Sequence, residues 1–217
     1  MSQKGQDSIS IEIRNQNLEF KDKEDLSWFF EESAQYKEFL NELQEDSVVY
    51  DIGSYHGFYA ILGSLGQKSY AFEMDRKNFN KLKLNKSLNS EKDIEVFNKA
   101  VWDQNTHIRA ETGKEGGNMV KKGKTTVEAV KIDSFVEEHK KPDIFKIDVE
   151  GAGYQVLQGA KKTLETKKPI IFIELHVGEK LESFNSSEKD INQFLKNLGY
   201  NLEYRHERGE QIHAKYS

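Results

Sequence analysis

Residues 48–57 read Val48-Val49-Tyr50-Asp51-Ile52-Gly53-Ser54-Tyr55-His56-Gly57, and the reading of this stretch decides the fold. The apolar run Ser47 to Tyr50 predicts a buried strand, closed by an acidic residue and a loop with two glycines. Phe58-Tyr59-Ala60-Ile61-Leu62 then opens a helix. Strand–turn–helix units of this kind build doubly wound sheets, whose ligands sit in the crevice at the strands' carboxyl ends. About 20 residues further on, Ser69-Tyr70-Ala71-Phe72-Glu73 is a second apolar run ending in a carboxylate. That is the spacing at which such folds hold a ribose by its hydroxyls.

The loop narrows the ligand. A dinucleotide fingerprint is Gly-x-Gly-x-x-Gly, which lets bare backbone approach a pyrophosphate. Here the glycines are spaced Gly53-x-x-x-Gly57, and Asp51 stands where it would repel a phosphate. A ligand with ribose hydroxyls, an ammonium and a sulfonium, but no phosphate, suits an acidic site better, and S-adenosylmethionine is such a ligand. The plainer alternative is an ordinary βα turn whose glycines only make the bend.

With 217 residues the chain is most economically one α/β domain, long enough for a large core. A formal net charge of −5 argues against a general nucleic-acid-binding surface. The absence of cysteine excludes disulfides, thiolate metal sites and a cysteine nucleophile. The polar start and the lack of a long apolar run predict neither a signal peptide nor a membrane span, and so a cytoplasmic protein with no membrane partner.

Outward from the glycine loop, residues 1–46 read as an N-terminal cap of hairpin and helix, and 47–217 as a Rossmann-like core. Ile9, Ile11 and Ile13 alternate as a strand that Asn15-Gln16-Asn17 turns back into Leu18-Glu19-Phe20. Leu26, Phe29, Phe30, Tyr36, Phe39, Leu40 and Leu43 recur at helical spacing, in elements that either cover a substrate mouth or merely pack on the sheet. Asp75 is placed to cap a helix through Leu88, and Ile94-Glu95-Val96-Phe97 is a third strand. The loop after it, Asn98 to Asp103, faces the same crevice and is placed to flank an adenine. Residues 104–131, rich in glycine and lysine, read as a hairpin insertion with strands near Thr106–Ala110 and Thr125–Lys131, either a lid or a solvated hairpin. Asp133 reads as a cap for Ser134–His139. Ile144 to Ile147 and Ile170 to Leu175 are further strands, Ser187-Glu188-Lys189-Asp190 opens a helix, and Tyr200–Tyr204 with Gln211–Tyr216 forms a closing antiparallel hairpin.

The carboxyl ends of parallel strands share one edge, so Asp51, Glu73, Asp148, Glu150, Glu174 and His176 are expected to converge. Asp51 and Glu73 fall in the cofactor half. Asp148, Glu150 and His176 fall where an acceptor would sit, with His176 the side chain best tuned to take a proton near neutrality. A divalent ion held by Asp148, Glu150 and His176 is a weaker alternative, because no dedicated ligand spacing is present. For Glu174 and His176 the structural alternative is a hydrogen-bonded pair beneath the site. His107, His139, His206 and His213 lack ligand spacing and read as surface residues.

Val49-Tyr50-Asp51-Ile52-Gly53 with Gly57, Phe72-Glu73, Asn98-Lys99-Ala100-Val101, Lys146-Ile147-Asp148-Val149-Glu150-Gly151-Ala152 and Ile173-Glu174 together resemble the FkbM family of S-adenosylmethionine-dependent methyltransferases. The resemblance spans about residues 46–177, and the Lys146–Ala152 run is its most specific part. It implies a class I methyltransferase fold, an α/β, mostly parallel seven-stranded sheet with a terminal antiparallel hairpin, and O-methylation of a hydroxyl on a sugar, glycolipid or small metabolite. It further implies that Asp51, Gly53 and Glu73 contact the cofactor and that Asp148 sits near the reacting methyl. Tyr55, His56, Gly57, Met74, Ala100 and Val101 complete the expected cofactor contacts. The chain departs from the family pattern at Gly153, where an acidic residue is usual, and at Ser54-Tyr55-His56, where a small residue and an asparagine are usual. The second departure would bring Tyr55 or His56 to the cofactor's methionine end. Rival readings are an RNA or protein methyltransferase, motivated by the lysines between Lys114 and Lys124, and a cofactor-binding module without catalysis, motivated by Gly153. A nicotinamide-dependent oxidoreductase is the weakest, because the phosphate loop is wrong.

Overall fold

The computed structural model describes residues 8–26, 33–111, 118–119, 123–176, 178–205 and 210–216. Strands β1 (Ile9–Ile13) and β2 (Gln16–Phe20) form an antiparallel hairpin. Its turn is Arg14-Asn15, both at positive φ, one residue earlier than the asparagine pattern suggests. Two left-handed central residues match the right-handed twist of a tight hairpin. A 3-10 turn, Lys23–Leu26, and helix α1 (Ser33–Glu42) complete the N-terminal part, while Phe29 and Phe30 lie outside the described residues.

The core alternates strand and helix: β3 (Val48–Ile52), α2 (Phe58–Gly63), β4 (Lys68–Phe72), α3 (Arg76–Leu88) and β5 (Ile94–Phe97). A side sheet follows, made of β6 (Ala100–Trp102), β7 (Thr106–Glu111), β8 (Asn118–Met119) and β9 (Thr125–Lys131). The chain re-enters the core through α4 (Ile132–Phe135), β10 (Ile144–Ile147), α5 (Gly153–Gly159), α6 (Lys161–Lys167) and β11 (Ile170–Leu175). It ends with α7 (Glu179–Ser183), α8 (Glu188–Asn197), β12 (Tyr200–Arg205) and β13 (Glu210–Tyr216).

The main sheet has the order β12-β13-β11-β10-β3-β4-β5 among the described residues. β13 runs antiparallel to both neighbours, and the pairs from β11 through β5 are parallel. Every residue of β3 is buried, as a central strand covered on both faces requires. One face packs on α5, α8 and the Phe135 aromatic cluster, with Tyr50, Phe72 and Phe145 at its centre. The other packs on α2, α3 and the N-terminal part, through Phe20, Phe39, Leu62 and Phe172. The N-terminal elements therefore cover a sheet face.

Helix α3 carries an imperfect apolar stripe because its inward positions include Asn85, and the C-cap Asn89 just after it is buried as well. Asn89 accepts from the Glu19 amide (2.9 Å) and donates to the Glu19 carbonyl (2.7 Å), while Asn85 accepts from the Lys21 amide (2.8 Å). Spaced one helical turn apart, the two amides act as a partner strand for the free edge of β2. Asp75 caps α3 as expected, and Ser187 with Asp190 forms a capping box on α8. Asp133 does not cap its own helix. Its carboxylate accepts from the amides of Lys162 and Thr163, capping α6 across the core, and the turn that starts at Ile132 has Lys131 at its cap position.

β7 and β9 pair as the expected hairpin strands, but the preceding loop also carries β6, which runs parallel to β9. Gly113, Lys114, Gly116, Gly117, Lys121 and Lys122, on which the lid reading rests, lie outside the described residues.

Candidate functional site

Three strand ends build the first half of the site. β3 delivers Asp51 and the loop Gly53–Gly57, β4 delivers Glu73, and β10 delivers Asp148. Gly53 has φ +81°, and a Cβ there would lie 1.8 Å from the Asp148 carbonyl oxygen, so only glycine lets the two loops touch. Gly57, at φ +93°, likewise leaves room for Leu82 of α3.

Glu73 is buried and closes this loop onto β4. Its Oε2 accepts from the Tyr55 amide (2.8 Å) and its Oε1 from the Asp75 amide (2.7 Å). A carboxylate has about four acceptor positions, so two remain for a vicinal diol. Burial pushes Glu73 up to about 8, against the pull of the two amides. Asp51 is pushed up to about 7, again chiefly by burial, with Lys146 opposing the shift. Its Oδ2 is buried with no hydrogen-bond partner among the described residues. An unused buried carboxylate oxygen is costly unless a cation or donor meets it, which suits the ammonium of the expected ligand.

Lys146 is 2 % exposed and projects from the middle of β10, paired in register with Asp51. Its Nζ lies 3.9 Å from Asp148 Oδ2 and 4.9 Å from the Tyr59 ring centroid. A lysine inside an apolar strand must be neutralised, and the carboxylates on either side supply the charge. The sequence carries that signal, as Lys146 interrupts Ile144-Phe145 and Ile147, but the apolar run hides it.

The second half lies at the ends of β10 and β11. His176 Nε2 is 2.8 Å from Asp148 Oδ1, and its Nδ1 is 3.6 Å from Glu150 Oε2. Glu150 also pairs with Lys180. Glu150 sits at φ +51° just before Gly151 at φ +99°, a tight reversal that turns its carboxylate back to the imidazole. Burial opposes charge on His176, but the hydrogen bond and charge of Asp148, with Glu150 and Glu174, outweigh it and raise its pKa. Burial likewise pushes Asp148 up, but Lys146 and His176 prevail and hold it below the ordinary range. The Asp148 and Glu150 carboxylates thus favour the protonated imidazole and move its titration above the ordinary value of 6.5.

Asp148, Glu174 and His176 offer ligand atoms within 4.8 Å of one another. Glu174, in place of Glu150, is the third member of that group. The Lys146 ammonium beside Asp148 and the Asp148–His176 hydrogen bond make the group an ion-paired cluster, already compensated in charge.

Met74 and Ala100 pack together with Val149 and Ala152 in a small cluster against the side sheet. Val101 turns the opposite way, into the main core with Ile132 and Phe135, so its side chain is structural. Asn98 donates to the carbonyls of Glu73 (2.9 Å) and Met74 (3.1 Å), tying the two loop ends. A Cβ at Gly153 would lie 2.8 Å from Ile173 Cδ1, so a side chain there would start against the buried Ile173. Of the remaining histidines, His107 is exposed, His139 stacks on Phe135 at 3.7 Å, and His206 lies outside the described residues. His213 is not on the surface: it is 5 % exposed and stacks on Phe172 at 4.3 Å. Asp25 and Asn85, which reach the glycine loop from distant segments, have no signal in the sequence.

A methyltransferase FkbM domain model matches residues 51–202. A relative from Haloferax volcanii, the hexuronic acid methyltransferase AglP, is 30 % identical over 145 residues, covering 64 % of this chain and 60 % of that protein. Among solved structures, a methyltransferase FkbM from Methylobacillus flagellatus superposes with a TM-score of 0.59 at 16 % identity, over 78 % of this chain and 44 % of that one. A precorrin-6y C5,15-methyltransferase from Geobacter metallireducens gives 0.53 at 14 % identity, over 83 % and 87 %. A ribosomal protein L11 methylase from Lactobacillus delbrueckii gives 0.53 at 13 %, over 86 % and 80 %. The chain spans less than two thirds of both the AglP relative and the FkbM structure. The three structures share the fold, and two of them name different acceptors, precorrin-6y and ribosomal protein L11, so the fold leaves the acceptor open.

Proposed function

The chain belongs to the methyltransferase FkbM family, and from that premise we propose that it transfers a methyl group from S-adenosylmethionine to a hydroxyl of a sugar, glycolipid or small metabolite. The residues at the β3 and β4 ends fit the donor: Glu73 has acceptor capacity for a ribose diol, and Asp51 has an unpartnered oxygen for an ammonium. When bound, the donor supplies a methyl on a positive sulfonium. Gly53 and Gly57 let the loop close against Asp148 and Leu82, which sets its shape, and Met74 and Ala100 offer an apolar surface near Glu73.

The observation that carries the reading is the Asp148–His176 hydrogen bond, 2.8 Å long, at the strand edge where Asp148 also borders the donor side. Transfer to oxygen needs the acceptor aligned about 3 Å from the methyl and a group to receive its proton. Asp148 would orient the hydroxyl, and His176, once neutral, would receive the proton. Glu150 and Lys180 would fix the outer side of the imidazole. The carbohydrate choice draws support from the name of the Haloferax relative.

The test is transfer of an isotopically labelled methyl to a panel of hexuronic acids, neutral sugars and polyols, with RNA and a protein mixture alongside. Label on a sugar hydroxyl is the expected result. Label on RNA or protein alone would replace the acceptor class, and donor binding without transfer would favour a module that has lost catalysis.

A further inference from the structure

The cavity beside the glycine loop has a rim that the family-matching segment does not supply. Asp25, in the Lys23–Leu26 turn, lies outside residues 51–202, yet it lines this cavity together with His56, Asp51 and Lys146. Asp25 is 1 % exposed and its carboxylate is engaged on both oxygens. Oδ2 accepts from the Asp22 amide (3.1 Å) and from Asn85 Nδ2 (3.0 Å), and Oδ1 lies 2.6 Å from His56 Nδ1. Asn85 Nδ2 also donates to the His56 carbonyl (2.9 Å), and the Tyr55 ring stacks on the imidazole at 3.6 Å. A buried carboxylate is tolerated only where hydrogen-bonding partners surround it. Here the pair, the bridging amide and the stacked ring fix the imidazole in one orientation.

With Nδ1 taken by Asp25, Nε2 is the nitrogen left to a ligand. The cavity measures about 40 Å³, room for about three water-sized groups and so on the scale of an ammonium with a carboxylate. Its lining carries both signs, with Asp51 and Asp148 facing Lys146 and the imidazole, and Asp51 Oδ2 is buried and unpartnered. Such a lining suits a zwitterion, whose ammonium meets Asp51 and whose carboxylate meets the cationic side. His56 Nε2 is the hydrogen-bonding atom that the imidazole offers to that headgroup.

We propose that Asp25 is a positioning residue that holds His56 against the amino-acid end of S-adenosylmethionine, so that the N-terminal turn completes the donor site. The inference rests on the methyl-donor reading above. A purely structural latch would matter equally for every adenosyl ligand, whereas a headgroup contact matters only for ligands that carry the amino acid.

Calorimetric titration of the full chain with S-adenosylhomocysteine and with 5′-methylthioadenosine, which lacks the amino-acid end, separates the two. Asp25→Asn and His56→Gln should each weaken S-adenosylhomocysteine about tenfold or more and leave methylthioadenosine within about twofold. Equal losses for both ligands, or no loss for either, would overturn the proposal. A thermal melt identifies a variant that has not folded, and His56→Gln then decides alone. A wild-type protein that binds neither ligand refutes the methyl-donor reading itself. Wild-type binding of both, with no discrimination in the variants, refutes only the role of Asp25.

Discussion

Lys146 Nζ stands 3.9 Å from Asp148 Oδ2, and Lys146 shares its register position with Asp51 on the neighbouring strand. One buried cation thus serves the carboxylate of each half of the site, and it draws Asp51 and Asp148 alike toward their charged forms. On the function proposed above, the donor side and the acceptor side are joined electrostatically through Lys146.

Replacing that cation by an isosteric apolar chain, Lys146→Met, leaves the buried Asp51 carboxylate without a neighbouring cation and the half-buried Asp148 with His176 alone. The expected cost is about 3–5 kcal/mol of stability near neutral pH, read from urea midpoints. The cost should shrink toward pH 5, because Asp51, at about 7, is then protonated and no longer needs the ammonium. A loss that is the same at both pH values would mean that Lys146 contributes packing and not charge.

His176 bears on the pH dependence of transfer. Its pKa is raised, and a protonated imidazole cannot receive the acceptor's proton, so activity should climb with pH through a limb above the ordinary value of 6.5. His176→Gln should lower kcat by about a hundredfold and abolish that limb, with the donor's Kd unchanged. A variant whose rate keeps the wild-type limb would remove His176 from the proton path.

Glu73→Ala takes away the buried carboxylate that offers acceptor positions to a ribose. Donor affinity should fall by about a hundredfold, measured by calorimetry. Part of that fall would come from freeing the Tyr55 and Asp75 amides. Unchanged affinity would take Glu73 out of the donor site.

Asn89→Ala tests how the N-terminal hairpin is held. It leaves the amide and carbonyl of Glu19 without their side-chain partner, at an expected cost of about 1–3 kcal/mol. Hydrogen exchange at the Glu19 amide should accelerate more than exchange in β3. Equal protection in variant and wild type would show that β2 is held by its apolar side chains alone.

The features visible in the sequence are those written locally. Val48 to Ile52 is an apolar run because β3 is covered on both faces, and Asp51, Glu73 and Asp148 share an edge because parallel strands end together. Asp75 and Ser187 read correctly as caps because a cap bonds within its own first turn. Asp133 misled for the opposite reason, since it caps a helix about 30 residues away. Lys146 was hidden inside an apolar run, and Val101 and His213 were misplaced because a strand's two faces are alike in sequence until its neighbours are known. Asp25 and Asn85 gained their roles only when three distant segments met at His56.

Donor binding should release protons. Free Asp51, at about 7, is about half protonated at neutral pH, and Glu73, at about 8, is mostly protonated. An ammonium beside Asp51 and hydroxyl donors on Glu73 both favour the carboxylate, so binding lowers the two values and expels the protons. Affinity for S-adenosylmethionine should therefore rise from pH 6 to pH 8 and level off above Glu73's free value. Titrations at pH 7 in buffers of different ionisation enthalpy should give heats that report between about one and about one and a half protons released. In Asp51→Asn the release should fall by the share that Asp51 carried. Methylthioadenosine, with no ammonium, should release only the share due to Glu73. Buffer-independent heats for S-adenosylmethionine would mean that both carboxylates are already charged, and that burial at the ends of β3 and β4 is offset before any ligand arrives.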